Sequence, residues 1–212
     1  MKNHKNAFTL TELLIAIGII GAIAAISIPS LITKIQNQMF LTNFKGTVEA
    51  VKMLADKQIM TSPTRGLVDT DFESPSKLLT TSNFKVIKVC RSSDTSCWEN
   101  KQYKTLNNLS YASVTSPANR SAKLKNGASI AYSWTVMDEE SDSFGIFYID
   151  LNGDDLPNIV GRDYFAFYIS SKGKIYSDLE GQSLDEMITA CKGGSPTACF
   201  GSIMANGWKM PY

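Results

Sequence analysis

Three places in this sequence hold side chains whose type and spacing suit chemistry. The densest is the stretch Asp150-Leu151-Asn152-Gly153-Asp154-Asp155-Leu156-Pro157-Asn158-Ile159-Val160-Gly161-Arg162-Asp163. Asp150, Asn152 and Asp154 alternate there as oxygen ligands do in a calcium loop, so calcium held by these three is one expectation. An EF-hand is not expected: Gly153 comes too early, Asp155 takes the place of the turn glycine, and no Glu closes the loop. The plainer alternative is a tight turn whose Asn and Asp side chains bond the backbone, with Gly153 and Gly161 supplying unusual dihedrals.

The second place is the cysteines, which fall as Cys90 with Cys97 and Cys191 with Cys199. Neither spacing is the tight pair that zinc prefers, and no base accompanies them, so disulfides in an oxidising compartment are the better reading. Four cysteines allow three pairings, and the spacing favours the two local ones. The third place is Glu12, a lone acid at the head of an uncharged run from Leu13 to Thr33. His4 is the single histidine, and the sequence holds no nucleophile elbow and no phosphate-cradling glycine loop. Adjacent acids at Asp154-Asp155 and Glu139-Glu140 could in principle serve a glycosidase, but such pairs in turns are far more often solvated.

These residues need elements to position them. The run LLIAIGIIGAIAAISIPSLIT matches the roughly 20 residues of a membrane helix. Lys2 and Lys5 precede it and would hold the leader on the cytoplasmic side, which exports the rest of the chain. A basic start, an apolar run and the small triplet Ala22-Ile23-Ala24 also satisfy an ordinary secretory signal, cut near Ala24. Two features favour a retained helix: the uncharged run continues to Thr33, and a secretory signal gains nothing from Glu12. A carboxylate at the edge of an apolar helix is costly unless it finds a cation or stays hydrated. Pro29 removes one helical hydrogen bond, so a kink or local melting is expected there. Beyond the run, Ile35, Phe40, Phe44, Val48, Val51, Ala55 and Ile59 recur at helical spacing, an amphipathic continuation to about Met60.

The segment Ala7-Phe8-Thr9-Leu10-Thr11-Glu12-Leu13-Leu14-Ile15 resembles the prepilin signal of type IV pilins and type II secretion pseudopilins. Ala7 stands where that family usually has glycine. The resemblance implies cleavage between Ala7 and Phe8 by a prepilin peptidase, N-methylation of Phe8, and pairing of Glu12 with the Phe8 amine of a neighbouring subunit. It further implies that Pro29 marks the segment that partly unwinds on packing. Its partners would be further copies of the chain in a homo-oligomeric filament, other pilins or pseudopilins, and the cytoplasmic membrane before assembly. The Cys191 to Cys199 loop, followed by Asn206-Gly207-Trp208-Lys209-Met210-Pro211-Tyr212, looks like the disulfide-bounded end of many pilins.

Beyond the helix, Ser62-Pro63-Thr64-Arg65-Gly66 is a stop signal. Strand signals gather at Phe84 to Val89, Ser129 to Met137, Phe144 to Leu151, Tyr164 to Ser170 and Lys174 to Ser177, and their short connections predict antiparallel pairing. The predicted class is α+β, pilin-like: a long N-terminal helix packed on an antiparallel sheet. The predicted division is a leader at 1–7, a membrane or filament-core helix at 8–33, its amphipathic continuation at 34–60, and an exported β-rich domain at 61–212. Trp98, Trp134, Trp208 and Tyr212 read as packing residues. The 21 basic and 20 acidic side chains give a net charge of +1 with no basic patch, so nucleic acid is not indicated as a partner. Two functional classes remain: a filament subunit, membrane-anchored before assembly and at the cell surface or in the periplasm afterwards, and a secreted binding module or enzyme released near Ala24.

Overall fold

The computed structural model describes residues 9–80, 82–91, 93–98, 101–114, 120–136 and 143–212. Helix α1 runs from Leu10 to Thr61 without interruption. Two compact units divide at Met39 and Phe40, so the helix contributes its first part to one unit and its second part to the other. In the first unit the large apolar side chains from Leu13 to Ile32 lie exposed, and helical structure continues through Pro29, whose carbonyl accepts the Thr33 hydroxyl at 3.1 Å. Pro29 has no N–H to give the carbonyl one turn before it, yet its neighbours hold the helical path.

The second unit is built on an antiparallel sheet. Its strands are β1 (Val86–Arg91), β4 (Arg120–Leu124), β5 (Ser129–Thr135), β6 (Phe144–Asp150), β7 (Tyr164–Ser170) and β8 (Ile175–Tyr176), in spatial order β1-β4-β5-β6-β7-β8. A second, two-stranded sheet is the hairpin of β2 (Lys101–Lys104) and β3 (Ser110–Val114). Short helices α2 (Pro75–Leu78), α3 (Leu184–Lys192) and α4 (Pro196–Ala205) complete the unit.

Strand alternation decides what each face buries. On β7, Phe165, Phe167 and Ile169 point to one side. There Phe44 of α1 stacks on Phe165 with ring centres 4.4 Å apart, and Phe200 of α4 lies 5.2 Å from Phe167. On the other side Tyr164 meets Tyr103 of the hairpin at 4.8 Å and Trp98 at 5.9 Å. β7 is therefore covered on both faces, which explains its nearly unbroken apolar run. Within α1, Phe44, Val48, Val51 and Ala55 are buried, with Phe40 and Ile59 partly so, whereas Ile35 stays exposed. Gln58 fixes the end of the helix to the next loop by donating to Asp71 Oδ2 and accepting from the Asp71 N–H, both at 3.0 Å.

Strand bounds differ from the sequence reading at their ends. β1 starts at Val86, because Phe84 closes a turn in which the Val86 N–H bonds the Phe84 carbonyl, and it continues through Cys90 to Arg91. β5 ends at Thr135 and Met137 lies outside the described residues. Ser171-Lys172-Gly173 joins β7 to β8, with Gly173 at φ 79°. The sequence reading did not anticipate β2, β3, β4, α3 or α4.

Candidate functional site: the head of helix α1

Thr9 and Glu12 open the helix as a reciprocal cap. The Glu12 carboxylate accepts the Thr9 N–H at 2.8 Å and the Thr9 hydroxyl at 2.7 Å, while the Glu12 N–H donates to the Thr9 hydroxyl oxygen at 3.3 Å. This is the Thr-x-x-Glu capping box, which satisfies helix-start donors that have no partner within the helix. The signal is written in the sequence as Thr9-Leu10-Thr11-Glu12, where the lone charge also stands three residues after a hydroxyl. Ala7 and Phe8, the residues assigned to cleavage and methylation, lie outside the described residues, as do Glu139 and Glu140.

Behind the cap comes a long stretch of helix carrying only apolar, small or hydroxyl side chains. This is the one helix among the described residues that is long and apolar enough to cross a membrane. A Cβ added at Gly18 or Gly21 would meet no atom within 4 Å, so a single chain gives neither glycine a packing reason.

The second assembly of polar groups is the loop between β6 and β7. Asp150 and Asp163, at its two ends, are both buried. Asp150 accepts the Gly153 N–H at 3.1 Å and the Tyr103 hydroxyl; Asp163 Oδ1 accepts the Ile159 N–H at 2.6 Å. Burial pushes the Asp163 carboxyl up to about 8; the Ile159 N–H opposes that shift and the Asp150 charge adds to it. Burial also raises the Tyr103 hydroxyl, and Asp150 reinforces the effect. Asn152 donates its amide to the carbonyls of Asp155 and Pro157, both at 2.9 Å. Asp154, the third residue of the calcium expectation, is instead exposed and pairs with Lys123.

Glycine is required twice in this loop. A Cβ at Gly153, whose φ is 59°, would collide with the Gly127 carbonyl of the turn between β4 and β5. A Cβ at Gly161, at φ 90°, would stand 2.8 Å from Cys199 Sγ and 2.9 Å from Cys191 Sγ. Those cysteines are bonded to each other, as are Cys90 and Cys97. The terminal residue closes the same corner, since the Tyr212 hydroxyl donates to the Gly161 carbonyl at 2.8 Å. Trp208 packs on Phe44 and Phe200, and Trp98 is buried against Tyr164, so both serve packing.

An open groove of about 690 Å³ beside α1 is lined by Thr42, Thr47, Asn83, Lys85, Lys125 and Asn126 among others, with two lysines and no carboxylate. It offers no acid pair and no nucleophile with its base.

Residues 2–28 match the model of the prokaryotic N-terminal methylation motif, the hallmark of type IV pilins and pseudopilins. No curated protein and no solved structure matches the chain. The motif supports a type IV pilin-like or pseudopilin-like precursor, fits membrane anchoring by the apolar helix, implies processing by a prepilin peptidase, and points to a structural subunit rather than an enzyme.

Proposed function

We propose that this chain is a structural subunit of a type IV pilus-like or type II secretion pseudopilus filament. It is cut between Ala7 and Phe8, methylated on the Phe8 amine, held in the cytoplasmic membrane by α1, and then assembled through that helix with its sheet domain carried outward. The observation that carries this reading is a capped carboxylate, Glu12, at the head of an exposed, uncharged helical stretch that matches the methylation motif.

The capping bonds from Thr9 satisfy part of the Glu12 carboxylate, and among the described residues no cation pairs with it. Placing that charge against hydrocarbon, whether lipid or packed helices, costs several kcal/mol unless a cation accompanies it. Cleavage before Phe8 creates an amine close by, and in a stack of identical helices the amine of one subunit neutralises the Glu12 of the next. Gly18 and Gly21 support the same reading. Each costs about 1 kcal/mol of helix propensity relative to Ala, and close approach of a neighbouring helix is the packing purpose a single chain does not provide.

The test is mass spectrometry of the mature N-terminus from the native host. The expected product begins with N-methylphenylalanine at Phe8 and retains the whole of α1. A product beginning near Ala25 would instead establish the secreted module and end the filament reading.

A further inference from the structure

The groove beside α1 is walled by two lysines and floored by small residues. Lys85 stands just before β1 and Lys125 just after β4, and the Lys125 N–H donates to the Lys85 carbonyl at 2.8 Å. Both side chains are exposed, and among the described residues neither has an ion-pair partner. Lys88 and Lys123, opposite each other in the register of β1 and β4, are instead paired with Asp94 and Asp154. On the helix side the groove meets Gly46 and Ala50. A Cβ added at Gly46 would meet no atom within 4 Å, so the single chain gives no packing reason for a residue that weakens a helix. The space is open, and its unpaired cations select an anionic occupant.

The densest run of carboxylates in the sequence is Asp138-Glu139-Glu140-Ser141-Asp142, four acids in five residues with no basic residue among them, in the connection from β5 to β6. A chain cannot bring this segment to its own groove. β5 starts beside the groove at Ser129 and ends at Thr135, about 20 Å further on at 3.4 Å per residue. The connection is tethered at Thr135 and Phe144, and about eight residues held at both ends reach back no more than about 15 Å. Nor is its charge balanced at home. The turn between β7 and β8 bonds its end, the Ser171 N–H donating to the Ser143 carbonyl at 2.9 Å, but Lys174 is committed to Glu180 at 2.9 Å, which leaves Lys172 against four carboxylates. We propose that the acidic connection of one subunit docks in the Lys85 and Lys125 groove of a second copy. This rests on the filament reading and adds to the helix contact a contact between sheet domains. The two surfaces are different patches at opposite ends of β5, so the contact is heterologous and can repeat without closing on itself, as an open filament requires. Its charges set which copies add and in what register.

The experiment expresses the full chain and its variants in the native host and sediments the sheared filaments. Lys85→Glu with Lys125→Glu should lower the filament fraction about tenfold or more, and Glu139→Lys with Glu140→Lys should do the same. The four changes together put opposite charges back across the contact and should return filaments to within about threefold of the unaltered chain. Because Lys85 and Lys125 are exposed, their double variant in detergent should keep its Tm within about 2 °C, which separates a lost contact from a lost fold. Filaments that neither double reversal diminishes, or that the combined variant fails to restore, overturn this pairing and leave the filament reading standing. An unaltered chain that is cut before Phe8 yet never sediments overturns both.

Discussion

Glu12 answers two demands with one carboxylate. As the third residue of the helix it accepts from Thr9 and starts α1 at a fixed point; as a charge at the head of an apolar stretch it needs a cation. Glutamine separates the two roles, because it serves a capping box nearly as well as glutamate yet carries no charge. Glu12→Gln is therefore expected to insert, be cut before Phe8 and keep its helix start, but to leave the sheared filament fraction empty or sharply reduced. Glu12→Val loses both roles and should fail in the same fraction. Thr9→Ala weakens only the cap, by about 1 kcal/mol, and should still assemble. Sedimentation of sheared filaments together with N-terminal sequencing reads all three. Normal filaments from Glu12→Gln would show that the cap, rather than the charge, is what assembly requires.

At the scale of elements, α1 is one continuous helix with two unlike burdens. Phe44 is fully buried among Phe165, Phe167, Phe200 and Trp208, so Phe44→Ala should destabilise the sheet unit by about 3–5 kcal/mol. Ile20 is 64% exposed, and Ile20→Ala should change thermal unfolding in detergent by less than about 0.5 kcal/mol while impairing assembly. Equal effects on unfolding would contradict this division of the helix. The stripe from Phe40 to Ile59 was legible because a helix against a sheet must repeat its apolar residues near every third or fourth position. β6 and β7 were legible for a related reason, since strands buried by neighbours are rich in aromatic and β-branched residues. β2 and β4 were hidden because Lys101-Gln102-Tyr103-Lys104 and Arg120-Ser121-Ala122-Lys123-Leu124 carry little strand preference of their own; their pairing partners make them strands. α3 was legible and missed: Ser183 accepts from the Glu186 N–H and Glu186 reaches back to Ser183, a capping box written in the sequence. In the β6–β7 loop, spacing drew attention to Asp154, which the fold leaves exposed beside Lys123, while the buried carboxylates are Asp150 and Asp163, thirteen positions apart. Only the fold brings the two ends of that loop together.

The scale of the whole molecule is set by the two disulfides and by where they can form. The bridges span sequence separations of 7 and 8 residues, for which the chain-entropy account gives about 2.5 kcal/mol each. Together that is about 5 kcal/mol, a large part of the 5–15 kcal/mol that holds a typical domain folded. The two are not equivalent in position. Cys90–Cys97 ties the edge strand β1 to the turn that follows it, while Cys191–Cys199 joins α3 to α4 beneath Gly161, next to the Tyr212 anchor. Loss of the second should therefore loosen the β6–β7 loop and the aromatic cluster around Phe200, whereas loss of the first should leave both intact. Reduction of the full chain is expected to lower Tm by about 10 °C or more. Cys191→Ser with Cys199→Ser should account for most of that fall and for increased hydrogen exchange at residues 151–163, with Cys90→Ser and Cys97→Ser giving the smaller share. The same dependence ties stability to compartment, because a chain kept on the reducing side of the membrane never acquires these bonds. If both double variants lowered Tm equally and left exchange in the loop unchanged, the C-terminal bridge would be an ordinary loop closure and not the clamp on the β6–β7 corner.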